Sequence, residues 1–284
     1  MKTGVYTGNL SRWGDEKYRM LKSLGYSCVD YNLADTEIAP YTLDEQEFTA
    51  YLLAEKALAT DAGIEISQIH GPWRWPPEDG TPENRAERLE KMRRSIKAAA
   101  LLGCKYWVVH PIMPFGIEDI GTEKEQETWD INLAFMRELL QTAIENDVII
   151  CFENMPMTKF SLGAPRDILR FVKEIDNDHF KICLDTGHVS VFPGLSPADA
   201  LRELGREVRT VHVHDNDGKF DRHWFPYDGV IDWTDFGKAL KETDFQGVFS
   251  FETVPPAEMP IPEAEKKYAD LIRIAEQIIG VESK

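Results

Sequence analysis

The stretch VIICFENMPMTKFSLGAPRDILRFVKEIDNDHFKICLDTGH (148–188) holds one whole structural unit. An apolar run of β character ends in Glu153. A loop follows, then the amphipathic PRDILRFVKEID, then a second apolar run that ends in Asp185 and His188. Strand, helix, strand without a hairpin signal predicts two parallel strands joined by a right-handed crossover.

Outward from that unit, the pattern repeats. GVYTG (4–8), SCVDYN (27–32), EISQIHG (65–71) and KYWVVHP (105–111) precede it, and VRTVHVHD (208–215) and GVFSFET (247–253) follow. Amphipathic stretches such as PENRAERLEKMRRSIKAAALLG, WDINLAFMRELLQTAIEND and EAEKKYADLIRIAEQIIG lie between or after them. Gly25, Gly63 and Gly103 stand where helices end in a left-handed cap. Thr81-Pro82 and Ser196-Pro197 place a capping hydroxyl before a proline suited to the first helical turn. Eight βα units predict an α/β protein, a (β/α)8 TIM barrel, as a single domain over 1–284, close to the typical length of about 250 residues. A doubly wound open sheet is the structural alternative.

The composition narrows the function. With 32 basic against 49 acidic residues the net charge is −17, which argues against a nucleic-acid or anionic-membrane surface, since both need Lys and Arg. The four cysteines (Cys28, Cys104, Cys151, Cys183) have no CxxC spacing and read as buried free thiols. No apolar signal core or membrane span is present, so a cytoplasmic protein is expected. The exposed barrel helices permit a homo-oligomer.

Nine metal-ligand types fall at the ends of the apolar runs: His70, His110, Glu153, Asp185, His188, His212, Asp221, His223 and Glu252. In a barrel those ends share one face. Glu153, Asp185, His212 and Glu252 close the last four strands. Three oxygen donors and one imidazole suit a divalent metal, Mn²⁺ ahead of Mg²⁺, Co²⁺ or Zn²⁺. Such a metal can chelate an α-hydroxycarbonyl and stabilise the enediolate left by removal of the neighbouring proton. Glu153 and Glu252, on opposite sides, are the expected acid/base pair. The blander reading of each acid alone is a salt-bridged strand end. His188 is expected to touch a substrate hydroxyl, with His70, His110, Asp221 and His223 as a substrate-binding rim or parts of a multi-metal site. His214 ranks behind His212 as a ligand, and His179 is expected to be exposed. Trp13, Trp73, Trp75, Phe115, Trp224 and Phe225 read equally as sugar-stacking rings or loop packing, with Trp73 taken as a substrate contact. No Gly-rich phosphate loop and no GxSxG is present.

Through FEN (152–154), CLDTGH (183–188), HVHDNDG (212–218), GVIDW (229–233) and the FET ending, the chain resembles the xylose isomerase-like TIM barrel superfamily over its whole length, and within it the sugar phosphate isomerase/epimerase group. The resemblance implies that Glu153, Asp185, His212 and Glu252 bind the metal and that a sugar or sugar phosphate is isomerised or epimerised. Dehydration or β-elimination on a keto-sugar or keto-inositol uses the same site. Where ketose 3-epimerases of the group carry a substrate-holding arginine, this chain has Gly218. Endonuclease IV shares the superfamily, and all nine of its zinc-ligand types have matching positions here. That implies, as a further alternative, an apurinic-site endonuclease with three zincs.

Overall fold

A computed structural model describes residues 1–280 of the chain; the last four residues of the expected domain, 281–284, lie outside it. Eight strands are present: β1 Thr3–Tyr6, β2 Cys28–Asn32, β3 Glu65–His70, β4 Tyr106–Val109, β5 Ile149–Glu153, β6 Phe180–Asp185, β7 Val208–His212 and β8 Phe249–Phe251. The helices among the described residues are α1 Lys17–Leu24, α2 Glu45–Ala62, α3 Pro82–Leu102, α4 Glu125–Glu145, α5 Pro165–Ile175, α6 Thr186–Ser190, α7 Pro197–Leu204, α8 Trp233–Glu242 and α9 Ile261–Ile279. All pairings are parallel, in the order β7-β6-β5-β4-β3-β2-β1-β8. Closure comes just above the β7–β8 ends: Val213 N–H donates to Ser250 O at 2.9 Å, and Glu252 N–H to Val213 O at 3.1 Å. This is the expected barrel rather than an open sheet.

The expected helix ends are present. Gly25, Gly63 and Gly103 close α1, α2 and α3 with φ of 106°, 70° and 78°. The Thr81 and Ser196 hydroxyls accept from Asn84 N–H and Asp199 N–H. Asp44 and Glu47 add a reciprocal capping box at the start of α2. No described helix is long and apolar enough to cross a membrane.

Strand alternation separates two interiors. Ile150 and Phe152 of β5 face the helices, where Phe152 stacks on Phe171 at 4.8 Å between ring centres and Phe180 packs beside them. Cys151 and Cys183 face the barrel axis with Val108, as a separate small cluster. Glu153 and Asp185 stand two residues further along β5 and β6, on the same inward side, and with His212 at the end of β7 they reach the carboxyl mouth. All four cysteines are buried and free, as expected.

The outer layer is close-packed. A Cβ on Gly237 of α8 would lie 2.1 Å from the Ile278 carbonyl oxygen of α9. Gly237→Ala is therefore expected to force the two helices apart at a cost of about 1–3 kcal/mol. Thermal melting should fall by several degrees, and an unchanged melting temperature would contradict this packing.

Candidate metal centre and active site

Four side chains from the last four strands meet at the mouth. Glu153, Asp185, His212 and Glu252 each offer a ligand atom within 4.8 Å of the others. Glu153, Asp185 and His212 are wholly buried, and Glu252 nearly so. His212 Nδ1 lies 3.1 Å from Glu153 Oε1 and 3.4 Å from Glu252 Oε2. Glu153 Oε2 accepts no hydrogen bond, although His110 Nε2 is 3.2 Å away. A buried carboxylate oxygen short of a well-formed hydrogen bond, among further carboxylates, is what a cation satisfies, so the residues fit a divalent metal.

The local sequence explains the convergence. Asn154 of the FEN motif ties β5 to β6: its Oδ1 accepts from Asp185 N–H at 2.9 Å, and its Nδ2 donates to Asp185 O at 3.2 Å. Asp185 also caps the short α6, its Oδ1 accepting from His188 N–H at 2.6 Å. In DTGH the glycine leaves room: a Cβ on Gly187 would sit 1.9 Å from the His214 ring. In HVHDND, Asp215 is an anchor. It accepts from Trp233 Nε1, Tyr227 N–H and Ile231 N–H, which fixes the GVIDW segment.

The other sequence-predicted residues lie around this group. His70 stacks on His212 at 5.6 Å, with its Nε2 3.7 Å from Glu252. His110 sits edge-on to His70 at 5.0 Å, and Trp73 edge-on to His110 at 5.3 Å. Asp221 Oδ2 is 3.3 Å from His188 Nε2 and 3.0 Å from His223 Nε2. The DRH loop is therefore folded onto the site rather than solvated as an isolated pair. His70, His188 and His223 place Nδ1 2.9, 2.7 and 2.9 Å from the backbone oxygens of Gly71, Asn154 and Glu252. Each can donate there and turn Nε2 toward the cavity.

Two residues have more weight than their sequence suggests. By sequence His214 ranks behind His212, yet its Nε2 lies 3.0 Å from Asp185 Oδ2 and its ring stacks on His223 at 4.2 Å. Its ring atoms also fall within ligand reach of Asp221 and His223. Asp30 was not singled out at all. It is wholly buried in β2, and its Oδ2 lies 2.8 Å from His212 Nε2 while accepting from Gln68 Nε2 at 2.9 Å. Asp30 thereby directs the His212 Nδ1 at the acids. Asp30→Asn is expected to lower metal affinity by about 10–100-fold, measured by competition with a chromophoric chelator. Undiminished affinity would remove Asp30 from this role.

Some expectations fail on geometry. His179 is half-buried, with Nε2 3.5 Å from Asp147. Of the six loop aromatics, only Trp73 and Trp75 line the cavity above the acids. Trp13 instead donates to Glu265 at 2.9 Å and packs on Tyr268. Phe115 carries Lys124 over its ring, and Phe225 carries Lys267. Trp224 pairs its backbone with Asp215.

The electrostatics separate the two glutamates. Burial opposes ionisation of Glu153, but His212 and His110 outweigh it and hold the carboxyl well below its usual range. Burial pushes Glu252 up to about 8 against the pull of His212 and His223. Burial likewise opposes the charge on His188 and His223, but the acids win. Asp185 and Asp221 raise His188 well above its ordinary value, and Asp221 and Glu252 raise His223 to about 10. His70 goes the other way, down to about 4, through burial and the neighbouring His110. In the metal-free site the two carboxyls thus differ in their hold on a proton.

A family model described as xylose isomerase-like TIM barrel matches residues 18–277. An uncharacterised protein of Methanocaldococcus jannaschii is 31% identical over 193 residues, 65% of this chain and 63% of that protein, so less than two thirds of its length is spanned. A D-psicose 3-epimerase of Enterocloster bolteae is 27% identical over 268 residues, 89% of this chain and 82% of the epimerase. A probable endonuclease 4 of Mycoplasmopsis agalactiae is 24% identical over 221 residues, 73% and 74% of the two chains. Among solved structures, a D-tagatose 3-epimerase-like protein shares the fold with a TM-score of 0.78 at 23% identity, covering 99% of this chain and 98% of that one.

Proposed function

The chain belongs to the xylose isomerase-like TIM barrel family, and we propose that it is a divalent-metal-dependent isomerase or epimerase of a small sugar. The observation that carries the reading is the meeting of Glu153, Asp185, His212 and Glu252 within 4.8 Å at the barrel mouth. The similarity to D-psicose 3-epimerase supports the sugar class. When bound, the metal, Mn²⁺ ahead of the alternatives, would polarise a substrate carbonyl and its neighbouring hydroxyl and stabilise charge developing on those oxygens.

The chain's own residues do the rest. Glu153 and Glu252 reach the substrate from different strands, so one takes a carbon-bound proton and the other delivers one. His188 lines the cavity with its Nε2 turned inward and contacts a substrate hydroxyl. His70, His110, Trp73, Asp221 and His223 orient the substrate and keep water from the reacting carbon. Elimination begins with the same proton removal, and product analysis separates it from isomerisation.

The measurement is exchange of a carbon-bound proton with deuterated solvent across a panel of ketoses, aldoses and their phosphates, using metal-replete protein. Exchange with at least one sugar is expected, and silence across the panel removes the reading. One specific observation favours a second reading, a phosphodiesterase acting on abasic DNA. His188, Asp221 and His223 gather beside the main acids much as a further metal set would. Elemental analysis discriminates, since the resemblance to endonuclease IV implies three zincs per chain and nicking of abasic duplex, and the sugar reading one metal.

A further inference from the structure

The barrel has a second opening, at the amino-terminal ends of its strands. A cavity of about 650 Å³ lies there, within the roughly 300–1,000 Å³ of small-molecule sites. Its lining includes Lys2 just before β1, Glu65 of β3, Tyr106 of β4, Arg209 of β7 and Val248 just before β8. Barrels normally fill their axis with layers of bulky branched side chains. Here the inward positions are small. A Cβ on Gly4 would lie 3.4 Å from Cys28 and 3.5 Å from the Ser250 hydroxyl, and Cys151 and Cys183 face the axis with Val108.

Two buried polar side chains line this hollow, each with an oxygen unused. Gln68 is 1% exposed. Its Nε2 donates to the Asp30 carboxylate at 2.9 Å, and its Oε1 has no partner in the protein. Thr210 is 2% exposed, and its Oγ1 likewise has none. Buried polar atoms are almost always paired, and an amide oxygen can only be paired by a donor.

Charge adds a third requirement. The charged side chains of the lining are Lys2, Glu65 and Arg209. Lys2 and Glu65 pair with one another. Arg209 donates to the backbone oxygens of Arg206 and Val208, and among the described residues it has no carboxylate partner. Acids outnumber bases 49 to 32 in this chain, so a guanidinium without one at a cavity rim is open to an incoming anion.

We propose that the amino mouth is an effector site for a small anion that carries hydroxyl groups, a hydroxy acid or a polyol phosphate. Arg209 holds the anionic end at the rim. One ligand hydroxyl donates to Gln68 Oε1 and another meets Thr210 Oγ1, while Phe245 and Val248 cover the carbon chain. Occupancy is felt at the other mouth. A ligand on Oε1 fixes the same amide whose Nε2 donates to Asp30, and Asp30 directs His212. The effector therefore tightens the metal. Only this last link rests on the metal reading of the carboxyl mouth.

The test begins with calorimetric titration of the metal-free, full-length chain, where a hydroxy acid finds no metal to chelate. The probes are D-glycerate and glycerol 3-phosphate. Propionate and inorganic phosphate are the controls without hydroxyls, and glycerol is the control without charge. At least one probe should bind about tenfold or more tightly than its own anion control and than glycerol. Which probe does so separates a carboxylate from a phosphate source. Arg209→Gln should weaken that binding about tenfold or more, and Thr210→Val about threefold or more. Circular dichroism checks that both variants fold. With the better probe saturating, Mn²⁺ affinity by chelator competition should rise about fivefold in the parent and not in Arg209→Gln. Chelation in solution is common to both and cancels. The inference is overturned if neither probe binds, which leaves the hollow to water alone, or if a control binds as tightly. Binding unchanged in either variant overturns it too, as does a Mn²⁺ affinity indifferent to the bound probe. A chain that binds the anion but takes up no Mn²⁺ would sink the isomerase reading and leave this site standing.

Discussion

Glu153→Gln is expected to lower substrate-dependent deuterium exchange by about 10²–10⁴-fold, the usual contribution of a positioned acid or base. Glutamine keeps the volume of the side chain but can neither take the proton nor offer a full negative charge to a metal. The same substitution at Glu252 should be similarly severe, because an amide can neither exchange a proton with the reacting carbon nor offer a full negative charge to the metal. The two variants should fold, since the β5–β6 tie runs through Asn154 and not through either glutamate. Near-ultraviolet circular dichroism checks that point. Exchange within tenfold of the parent in either variant would take that glutamate out of the chemistry.

Stripping the metal should cost the fold a large share of its margin. A ligand present at a thousand times its dissociation constant stabilises by about 4 kcal/mol. For a chain of this size that is a melting shift of roughly 7 °C. The shift should also depend on pH, and the sign follows from the site. In the metal-free protein Glu252 holds its proton to about 8 and His223 to about 10. Both values are raised above the unfolded ones, so the stability they contribute is present at low pH. It is lost as pH rises through about 8 and then about 10. His70, lowered to about 4, acts in the opposite sense only below its ordinary value near 6.5. A metal held by Glu153, Asp185, His212 and Glu252 must displace the protons on Glu252 and His212, both raised above their ordinary values, so its affinity climbs with pH. The melting gap between loaded and stripped protein should therefore widen from pH 6 to pH 9. A constant or narrowing gap, measured by scanning calorimetry, would contradict the arrangement.

How legible this was in the sequence differs from residue to residue. The barrel and the four acids and imidazoles at its mouth follow from simple rules. An apolar strand that stops at a carboxylate or histidine is easy to see, and eight such strands with helices between them leave few topologies. Strand alternation also gave the right side for His214. What it could not supply was distance, because the stacking on His223 depends on how the 216–232 loop folds back. Asp30 was missed because it sits inside a strand, in SCVDYN, rather than at its end. The signal was there, since an acid between apolar neighbours in a buried strand requires a partner. The partner, His212, is 182 positions away, and only the closed barrel brings it near. The loop aromatics were undecidable in principle, because Trp13 and Trp75 look alike until one packs on Tyr268 and the other faces the cavity.

The closure above β7 and β8 has a mechanical meaning. Among the described residues, two backbone hydrogen bonds, those of Val213 N–H and Glu252 N–H, join its two sides. It is the natural place for the wall of the molecule to part. His212 stands on one lip and Glu252 on the other, 3.4 Å apart between Nδ1 and Oε2. Whatever binds both at once acts as a clasp on a split ring. Occupying the reaction centre and holding the cylinder shut are then one event, and loss of the occupant loosens the wall where substrate must be gripped.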